Sequence, residues 1–393
     1  MADQPDTSRR GALRAIGAAA GTAGISGLAS ANPGEKVEVN VGFANDAGAR
    51  AFRRKADDVK REFAFDAGTA TMPRAAADAL GNNPNVRYVE ENGTMHALGQ
   101  TLPWGVDRVD AEVAHANGYT GSGADVAIID TGIDSDHPDL QDNLGSGKAF
   151  VSCGNGGFTG SCAFYGNTNS CNVAWDDDND HGTHCAGIAD AVDNSRDVVG
   201  VATDVTLHAV KVLDCGGSGS YSDIAAGIEY VADQGWDVGS MSLGGDSGSS
   251  VLKDAVQYAA DKGVFLVAAA GNSGPCSDCV GYPAAYSEVM AISATTKNDQ
   301  LADFSSTGPQ IELAAPGKDV PSTVPSGTAT FSGTSMACPH VAGAAGLLAA
   351  NGATDIEATL KNSAEDIGLG DNEQGAGLLD VAAAFGLDSS DDL

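Results

Sequence analysis

From about residue 99 onward, the chain alternates short, nearly continuous apolar runs with helical stretches. Runs that are apolar at successive positions are typical of strands buried on both faces. Such strands, separated by helices, predict an α/β domain with a doubly wound, mostly parallel sheet and helices on both faces. The predicted strands are 125–129, 206–213, 238–243, 264–269 and 289–294, and the predicted helices are 221–234, 250–262 and 335–350.

Residues 1–31 carry the features of an export signal. Arg9 and Arg10 precede a weakly apolar Ala/Gly-rich run that ends in Ala29-Ser-Ala31. This order predicts a twin-arginine signal peptide, with a disordered basic tail as the alternative. The run is too short and too Gly-rich for a membrane span, and no second apolar segment of about 20 residues follows. We therefore expect a secreted, extracellular product with no membrane association after export.

Residues 32–98 form a separate predicted unit. Strand-like segments at 37–43 and 86–90 flank helix-like segments at 49–63 and 72–80, a pattern that predicts a small α+β domain. Its charge is nearly balanced, with nine basic and ten acidic residues. The predicted α/β domain covers 99–385, and residues 386–393 are predicted to be an acidic, solvated tail.

The acidic residues are distributed unevenly. The formal net charge is -32, and the residues after 98 contain nine basic against 41 acidic side chains. Such a field repels nucleic acid and anionic membranes, and high salt screens its self-repulsion. It therefore predicts adaptation to high salt; an acidic secreted protein of ordinary media is the alternative.

Eight cysteines in an exported chain favour disulfides. Cys276 and Cys279 could close a small loop, and one pair among Cys153, Cys162 and Cys171 is plausible. With a single Cys-x-x-Cys unit, structural bridging is the better interpretation than a zinc site.

Asp130 directly follows the predicted strand 125–129 and begins an Asp-Thr-Gly triplet. Ligands of parallel α/β sheets bind beyond the carboxyl ends of the strands. The triplet also occurs in acid dyads, in which two carboxylates share a proton. The second candidate for such a dyad, Asp246-Ser-Gly248, lies in a Gly/Ser-rich segment that predicts a flexible loop, so the dyad is disfavoured.

His181 lies at the start of a predicted helix in the segment 180–187. A hydrogen-bonded structural histidine is one alternative, and a metal pair with His184 is another. The segment lacks the His-Glu-x-x-His arrangement, and no further ligand set is evident.

Two more segments carry polar residues at element ends. Ser335 stands at the mouth of a predicted helix in Phe331-Ser-Gly-Thr-Ser-Met336, where it could cap the helix or act as a nucleophile beside the positive helix end. The surrounding residues are not the Gly-x-Ser-x-Gly elbow. Asn272 follows the strand 264–269; its amide could serve a turn or donate to an oxyanion.

In the order Asp130, His181, Asn272, Ser335, these segments resemble the subtilisin-like serine proteases, the subtilases, over residues 99–385. The resemblance implies that Ser335 attacks the peptide carbonyl, His181 accepts and returns the proton, and Asp130 orients His181. It also implies that Asn272 and the Ser335 amide hold the oxyanion, and that no catalytic metal is needed.

The same resemblance implies the substrate site. The substrate backbone is expected to pair with a first segment as an added strand. This segment and a second one are expected to form the walls of a pocket for the side chain before the cleaved bond, with broad specificity and a preference for large apolar side chains. These residues are Ser242, Leu243, Gly244 and Gly245 in the first segment, and Ala269, Ala270 and Gly271 in the second.

The resemblance further implies a structural calcium site of oxygen ligands. Its predicted ligands are the side chains of Gln100, Asp139 and Asn194 and the backbone oxygens of Val192, Arg196 and Val198. Arg196 and Asp197 depart from the usual residues of this loop. The acidic run 175–180 could be a second cation site or an acidic, solvated loop.

Residues 32–98 look like the family's inhibitory propeptide, removed near Leu98 or Gly99. Salt adaptation and export point to the halolysin branch, whose members usually carry a further C-terminal domain. The expected product is a monomer that acts on proteins and peptides, after its propeptide has served as intramolecular inhibitor. The alternatives are a non-catalytic acidic binding protein and a metal-dependent hydrolase.

Overall fold

The computed structural model describes residues 36–92, 100–154, 169 and 171–388. The chain divides into two compact units after Ala97. The predicted signal peptide, the predicted maturation site and the last five residues lie outside the described residues.

The N-terminal unit is a four-stranded antiparallel sheet with two helices. Alternate residues of the first strand, including Val39 and Val41, are buried together with Phe52, Met72 and Leu80. The elements are β1 (Lys36–Phe43), α1 (Asp46–Lys55), β2 (Asp58–Phe63), β3 (Ala67–Pro73), α2 (Arg74–Gly81) and β4 (Val86–Glu91), and the strand order is β2-β3-β1-β4.

Two boundaries predicted in this unit were wrong. The predicted helix 49–63 ends at Lys55, and 58–63 is the edge strand β2. This strand is almost wholly exposed, and its pairing with β3 and the Arg53–Glu62 ion pair hold it in place. Tertiary pairing thus overrides a local pattern that favours helix. The predicted helix 72–80 begins only at Arg74, after strand β3.

The C-terminal unit is built on a seven-stranded sheet in which every pair of neighbours is parallel. The predicted doubly wound α/β fold is therefore confirmed. Strands β6 and β7 lie on one side of β5 and the later strands on the other, so the winding reverses at β5 and leaves a crevice at its carboxyl end. Across the sheet the strands are β11 (Ile311–Pro316), β10 (Met290–Thr295), β9 (Phe265–Ala269), β8 (Val238–Met241), β5 (Asp125–Asp130), β7 (Thr206–Lys211) and β6 (Lys148–Ala149).

Helices cover both faces of this sheet. Along β5, Val126 and Ile128 pack into one core, and Ala127 and Ile129 into the other. The first core contains α5 (His181–Asp190) and α8 (Thr334–Ala350), and the second contains α6 (Tyr221–Gln234) and α7 (Ser250–Asp261). The remaining helices are α3 (Trp104–Arg108), α4 (Ala111–Ala116), α9 (Ile356–Ser363), α10 (Asp371–Gln374) and α11 (Val381–Ala384).

The five strands and three helices predicted for this unit all form, with ends within two residues of the prediction. Strands β6 and β11 and the antiparallel hairpin of β12 (Val320–Val324) and β13 (Gly327–Phe331) were not predicted. In the described part of the chain, no helix has the length and apolar character that crossing a membrane requires.

Cysteines of the C-terminal unit form disulfides. Cys153 bonds to Cys171, and Cys276 bonds to Cys279, while Cys215 is also disulfide-bonded. Cys185 and Cys338 are free and buried. Two of the pairings suggested by the sequence are thus present.

Candidate active site

The structure brings Asp130 and His181 into hydrogen-bond contact. Asp130 is the last residue of β5 and is fully buried, and His181 is the first residue of α5. The His181 Nδ1 lies 2.8 Å from Asp130 Oδ1, which also accepts a 2.7 Å hydrogen bond from the Thr131 backbone N–H. With Nδ1–H donating to the carboxylate, the neutral ring keeps its Nε2 lone pair free to accept a proton.

The environment of His181 stabilises its cation. Burial favours the neutral ring, but the adjacent Asp130 carboxylate, with Cys185, outweighs it and holds the pKa of His181 well above its ordinary 6.5. The Cys185 Sγ lies 3.9 Å from His181 Nδ1, and burial raises the pKa of this thiol, so it stays neutral at neutral pH. An imidazole in this setting can take up a proton while a neighbouring hydroxyl attacks.

The two histidines of the segment have different surroundings. His184 is fully buried, stacks on Phe331 at 4.4 Å, and has its Nε2 3.2 Å from the Ala329 carbonyl oxygen. Burial lowers the pKa of His184 to about 4. His184 is therefore a core residue, which disfavours the metal pair considered with His181.

Ser335 is the second residue of α8. Its Oγ donates a 3.2 Å hydrogen bond to the Ser242 carbonyl, and its own carbonyl accepts a 2.8 Å bond from Ser242 Oγ. Cys185 Sγ lies 3.4 Å from the same carbonyl oxygen, so Cys185 contacts the backbone of Ser335 and approaches the ring of His181. The N-cap residue of α8 is Gly333, and the Ser335 side chain makes no cap hydrogen bond. The capping interpretation of Ser335 is therefore wrong.

Asn272 is fixed by Thr334, a residue that the sequence did not single out. Asn272 Oδ1 accepts from the Thr334 backbone N–H at 2.9 Å and from Thr334 Oγ1 at 3.1 Å, so its NH₂ group points elsewhere. A Cβ added to Gly333 would lie 3.4 Å from Asn272 Nδ2 and 3.6 Å from the Ser335 N. The two donors thus border the same small space beside Ser335, and together they can stabilise a developing oxyanion.

A cavity of about 210 Å³ adjoins Ser335 and contains most of the predicted pocket residues. Ala270 does not line it: this residue is fully buried, with its N–H bonded to Ile292 and its carbonyl to Gly281. Cys279, in the disulfide-closed loop after Asn272, contributes to the wall and was not predicted. The predicted residues on the wall are Ser242, Leu243, Gly244, Gly245, Ala269 and Gly271.

A second cavity, of about 510 Å³, extends from His181 along the same backbone segment. Its lining includes Leu213, Tyr221 and Tyr282 and the Gly-rich run 216–219, none of which the sequence identified. The glycine run was the available signal, because small residues let a substrate approach the backbone.

The residues predicted to hold calcium mostly come together. The Gln100 amide nitrogen lies 2.6 Å from both the Val192 and the Val198 carbonyl oxygens, and Asn194 Nδ2 lies 2.7 Å from Asp139 Oδ1. The Asp139 carboxylate is fully buried, and burial raises its pKa. A carboxamide presents oxygen instead of nitrogen after a half turn, so this donor set fits a hard cation. Arg196 contacts this group through its N–H, which donates to Asn194 Oδ1 at 2.6 Å, whereas the predicted ligand was its carbonyl oxygen.

The acidic run 175–180 is not a solvated loop. Asp176, Asp177 and Asp178 are all buried. Asp178 forms a 2.5 Å ion pair with Lys211, which is itself fully buried, and Asp176 accepts from the Ser135 and Val173 N–H groups. The solvated-loop prediction was therefore wrong, because hydrogen-bond donors from distant segments permit burial of these charges.

The acid dyad is also excluded as the role of Asp130. The partner of this carboxylate is an imidazole, whereas Asp246 lies in an exposed turn after β8. A buried Asp–His pair and a helix-terminal serine on a parallel α/β sheet define a serine protease of the subtilisin type. The family model described as the Subtilase family matches residues 121–377. The chain belongs to that family and is a subtilisin-like serine endopeptidase.

Known subtilisins are similar to most of the chain. Subtilisin E of Bacillus subtilis (strain 168) is 40% identical over 358 residues, covering 88% of this chain and 89% of that protein. Subtilisin J of Geobacillus stearothermophilus has the same identity and coverage. An alkaline protease of Alkalihalobacillus alcalophilus is 43% identical over 312 residues, covering 78% and 76% of the two chains.

Proposed function

We propose that this protein is an exported, salt-adapted serine endopeptidase with Ser335 as nucleophile, His181 as general base and Asp130 as the orienting acid. The 2.8 Å contact between Asp130 and His181 is the observation that carries the assignment. Ser335 Oγ bonds to the peptide carbonyl carbon while its proton passes to His181 Nε2. Asn272 and the Ser335 N–H hold the oxyanion.

The second half of the reaction reuses the same groups. Imidazolium of His181 returns its proton to the leaving amine, which departs and leaves an acyl ester on Ser335. Water then attacks the ester carbon while His181 accepts its proton; the acyl–Oγ bond breaks, His181 returns the proton to Ser335 Oγ, and the carboxylic acid is released. Asp130 keeps His181 oriented in both halves of the reaction.

Substrate binding follows from the open backbone at 242–245. Gly245 and Tyr282 exchange two 2.9 Å backbone hydrogen bonds, which fixes one end of this segment. Ser242, Leu243 and Gly244 then offer an extended edge to which a peptide can add as a strand. The small walls of the 210 Å³ cavity suit a large apolar side chain before the cleaved bond. We expect broad specificity on proteins and peptides, with no nucleic acid partner.

Maturation is part of the proposal. Residues 1–31 serve twin-arginine export, and 32–98 act as an intramolecular inhibitor that is removed near Leu98 or Gly99. The near-balanced charge of 32–98, and its folding as a unit of its own, support a separable propeptide. The strongly acidic remainder supports an enzyme of the halolysin kind, secreted into salt and active as a monomer.

Structural calcium completes the proposal. Gln100, Asp139 and Asn194, with the Val192 and Val198 carbonyls, would hold the ion; the Arg196 carbonyl is proposed as a further ligand. The buried Asp139 carboxylate among carbonyl and carboxamide groups supports this. Bound calcium would supply charge balance and crosslink residue 100 to the loop 192–198.

Replacing Ser335 by Ala tests the function. Expressed in high salt, the Ser335→Ala chain should accumulate as an unprocessed precursor without proteolysis and without fluorophosphonate labelling. Wild type should label on Ser335 and show a new N-terminus near residue 99. Normal maturation of the variant, expressed free of other proteases, would refute the assignment, and a wild type that matures yet never labels would favour a non-catalytic role.

A further inference from the structure

Thr131, the residue after Asp130, bonds both to Asp130 and to the residue that follows His181. Its N–H donates to the Asp130 carboxylate at 2.7 Å. Its Oγ1 accepts a 2.8 Å hydrogen bond from the N–H of Gly182, the residue that follows His181. Thr131 is fully buried, so water does not compete for these bonds. One side chain thus ties the end of β5 to the beginning of α5.

Asp177 in turn holds both Thr131 and the first turn of α5. Its Oδ1 accepts from Thr131 Oγ1 at 2.8 Å, and from the Asn179 and Asp180 N–H groups at 2.9 and 3.2 Å. Its Oδ2 accepts from the Thr183 N–H at 2.8 Å and from Thr183 Oγ1 at 2.7 Å. Asp177 is fully buried, and its five hydrogen bonds join Thr131, the backbone of Asn179 and Asp180, and Thr183 in the first turn of α5.

These contacts replace an ordinary helix cap. The first N–H groups of a helix lack partners within the helix, and an N-cap side chain usually accepts from one of them. In α5 the N-cap residue Asp180 makes no such bond. The N–H groups of Gly182 and Thr183 are instead satisfied by Thr131 and Asp177. The helix that carries His181 is thus anchored to the strand that carries Asp130.

The start of α5 packs tightly against the backbone that follows β5. A Cβ added to Gly182 would lie 2.1 Å from the Gly132 carbonyl oxygen, so the start of α5 touches the backbone that follows Asp130. The hydrogen-bond directions also require a carboxylate. Both oxygens of Asp177 accept from backbone N–H groups, which can only donate, and the Thr131 and Thr183 hydroxyls donate to it as well.

We propose that Asp177 is a positioning residue for the protease reaction: through Thr131 and Thr183 it sets the place of His181 relative to Asp130. An asparagine at 177 would turn an NH₂ group toward donors on one side, and α5 would shift to relieve the clash. Displacements of about 1 Å in such a geometry reduce turnover by up to about 100-fold. Substrate binding at 242–245 would be unaffected.

The test compares Asp177→Asn with a matched variant, Asp190→Asn. Asp190 is also fully buried, ends the same helix and accepts from Asn143 Nδ2 and the Val205 N–H, but lies nine residues from His181, about 13 Å along the axis. We expect Asp177→Asn to lower kcat and the fluorophosphonate labelling rate by at least about tenfold with KM changed less than about threefold. Asp190→Asn should keep kcat within about threefold of wild type. Precursors that fail to mature are processed with tagged wild-type protease, which is then removed.

Thr131 gives a second test if Asp177→Asn fails to fold. Thr131→Val removes the hydroxyl and should lower kcat like Asp177→Asn, whereas Thr131→Ser keeps it and should restore most of kcat. Combined with Asp177→Asn, the Thr131→Val effect should be less than additive. Equal kcat for Asp177→Asn and Asp190→Asn, or for Thr131→Val and Thr131→Ser, would overturn the proposal.

The inference rests on the proposed roles of Asp130 and His181, and the experiment separates the two. Activity in Ser335→Ala would refute the function itself. An inactive Ser335→Ala beside an Asp177→Asn with wild-type kcat would refute the positioning role alone.

Discussion

At the scale of single residues, the contacts of Asp130 indicate its role. Its Oδ1 accepts from His181 Nδ1 and from the Thr131 N–H, and the side chain is fully buried. Burying a carboxylate without partners is costly, and the imidazole of His181 and the Thr131 N–H are the partners that this one has. The Asp-Thr-Gly triplet is shared with acid dyads, so the position at the end of a buried strand was the better predictor of its partner.

The raised pKa of His181 predicts where activity is lost in acid. Catalysis needs the neutral ring, so kcat/KM should fall as the pH drops through the pKa of His181, at a midpoint above 6.5. Replacing Asp130 by Asn removes the charge that raises this pKa. We expect Asp130→Asn to move the acid limb to lower pH and to lower kcat by about 10⁴-fold, as known for this change in a Ser-His-Asp protease. The measurement is a pH–rate profile of mature protein on a peptide at constant salt.

A second buried group could titrate in the same range. Burial raises the pKa of Asp190 to about 7, so its carboxyl is protonated at lower pH. Asp190→Asn therefore serves as the control: the acid limb should stay in place. A limb that moves with Asp190→Asn and not with Asp130→Asn would contradict the assignment to His181.

At the scale of elements, the sequence predicts those strands and helices whose formation depends on the local pattern of apolar residues. The buried strands are continuous apolar runs, so β5 and the position of Asp130 at its end could be predicted, as could helices α5 and α8. The predicted helix 49–63 was wrong in its second half, because β2 forms by pairing with β3, a contact that the local sequence pattern does not reveal.

In the active site, too, contacts between distant elements could not be predicted from the sequence. Asp177 and its acidic neighbours were assigned to solvent because charged residues are seldom buried without partners. Their side-chain donors Thr131, Thr183 and Lys211 come from other elements, so no local pattern reveals these contacts. Thr334 was not predicted for the same reason: its contact with Asn272 joins the segment after β9 to the first residue of α8.

The prediction at this scale concerns calcium binding by the loop 192–198. If calcium binds Asp139 with this loop, added calcium should raise the melting temperature of fluorophosphonate-inactivated protein, and a chelator should lower it. At a free concentration of 100 Kd the gain is about 2.7 kcal/mol. Asp139→Asn should abolish this dependence, because it removes the one carboxylate among the proposed side-chain ligands.

Asp176→Asn is the matched control for that experiment. Asp176 is equally buried, but its carboxylate accepts backbone N–H groups in the acidic run 175–180. This variant should lose stability yet keep the calcium response. A response lost in Asp176→Asn and retained in Asp139→Asn would place the cation in the acidic run instead.

At the scale of the whole molecule, charge is the dominant property. The residues after 98 carry 41 acidic and nine basic side chains. Some of the acids are engaged within the fold, as in the Arg108 pairs with Asp299 and Glu365 and the Lys211–Asp178 pair. Others, including Asp142, Asp204 and Asp254, are exposed. Their mutual repulsion opposes the compact state, and its range depends on salt.

Salt dependence is the prediction that follows from this charge. The screening length is about 3 Å at 1 M salt and about 30 Å at 0.01 M, so exposed carboxylates repel across the molecule only at low salt. We expect activity and the folded-state circular dichroism signal to be lost together on dialysis from molar salt.

The variant with Asp142, Asp204 and Asp254 all replaced by Asn should unfold at a lower salt concentration than wild type. The same three positions replaced by Glu keep the charge and should leave the midpoint unchanged. Inactivated protein is used for the spectra, so that self-digestion does not imitate unfolding. Full activity after prolonged dialysis, or equal midpoints for the Asn and Glu variants, would show that charge repulsion does not set the salt requirement.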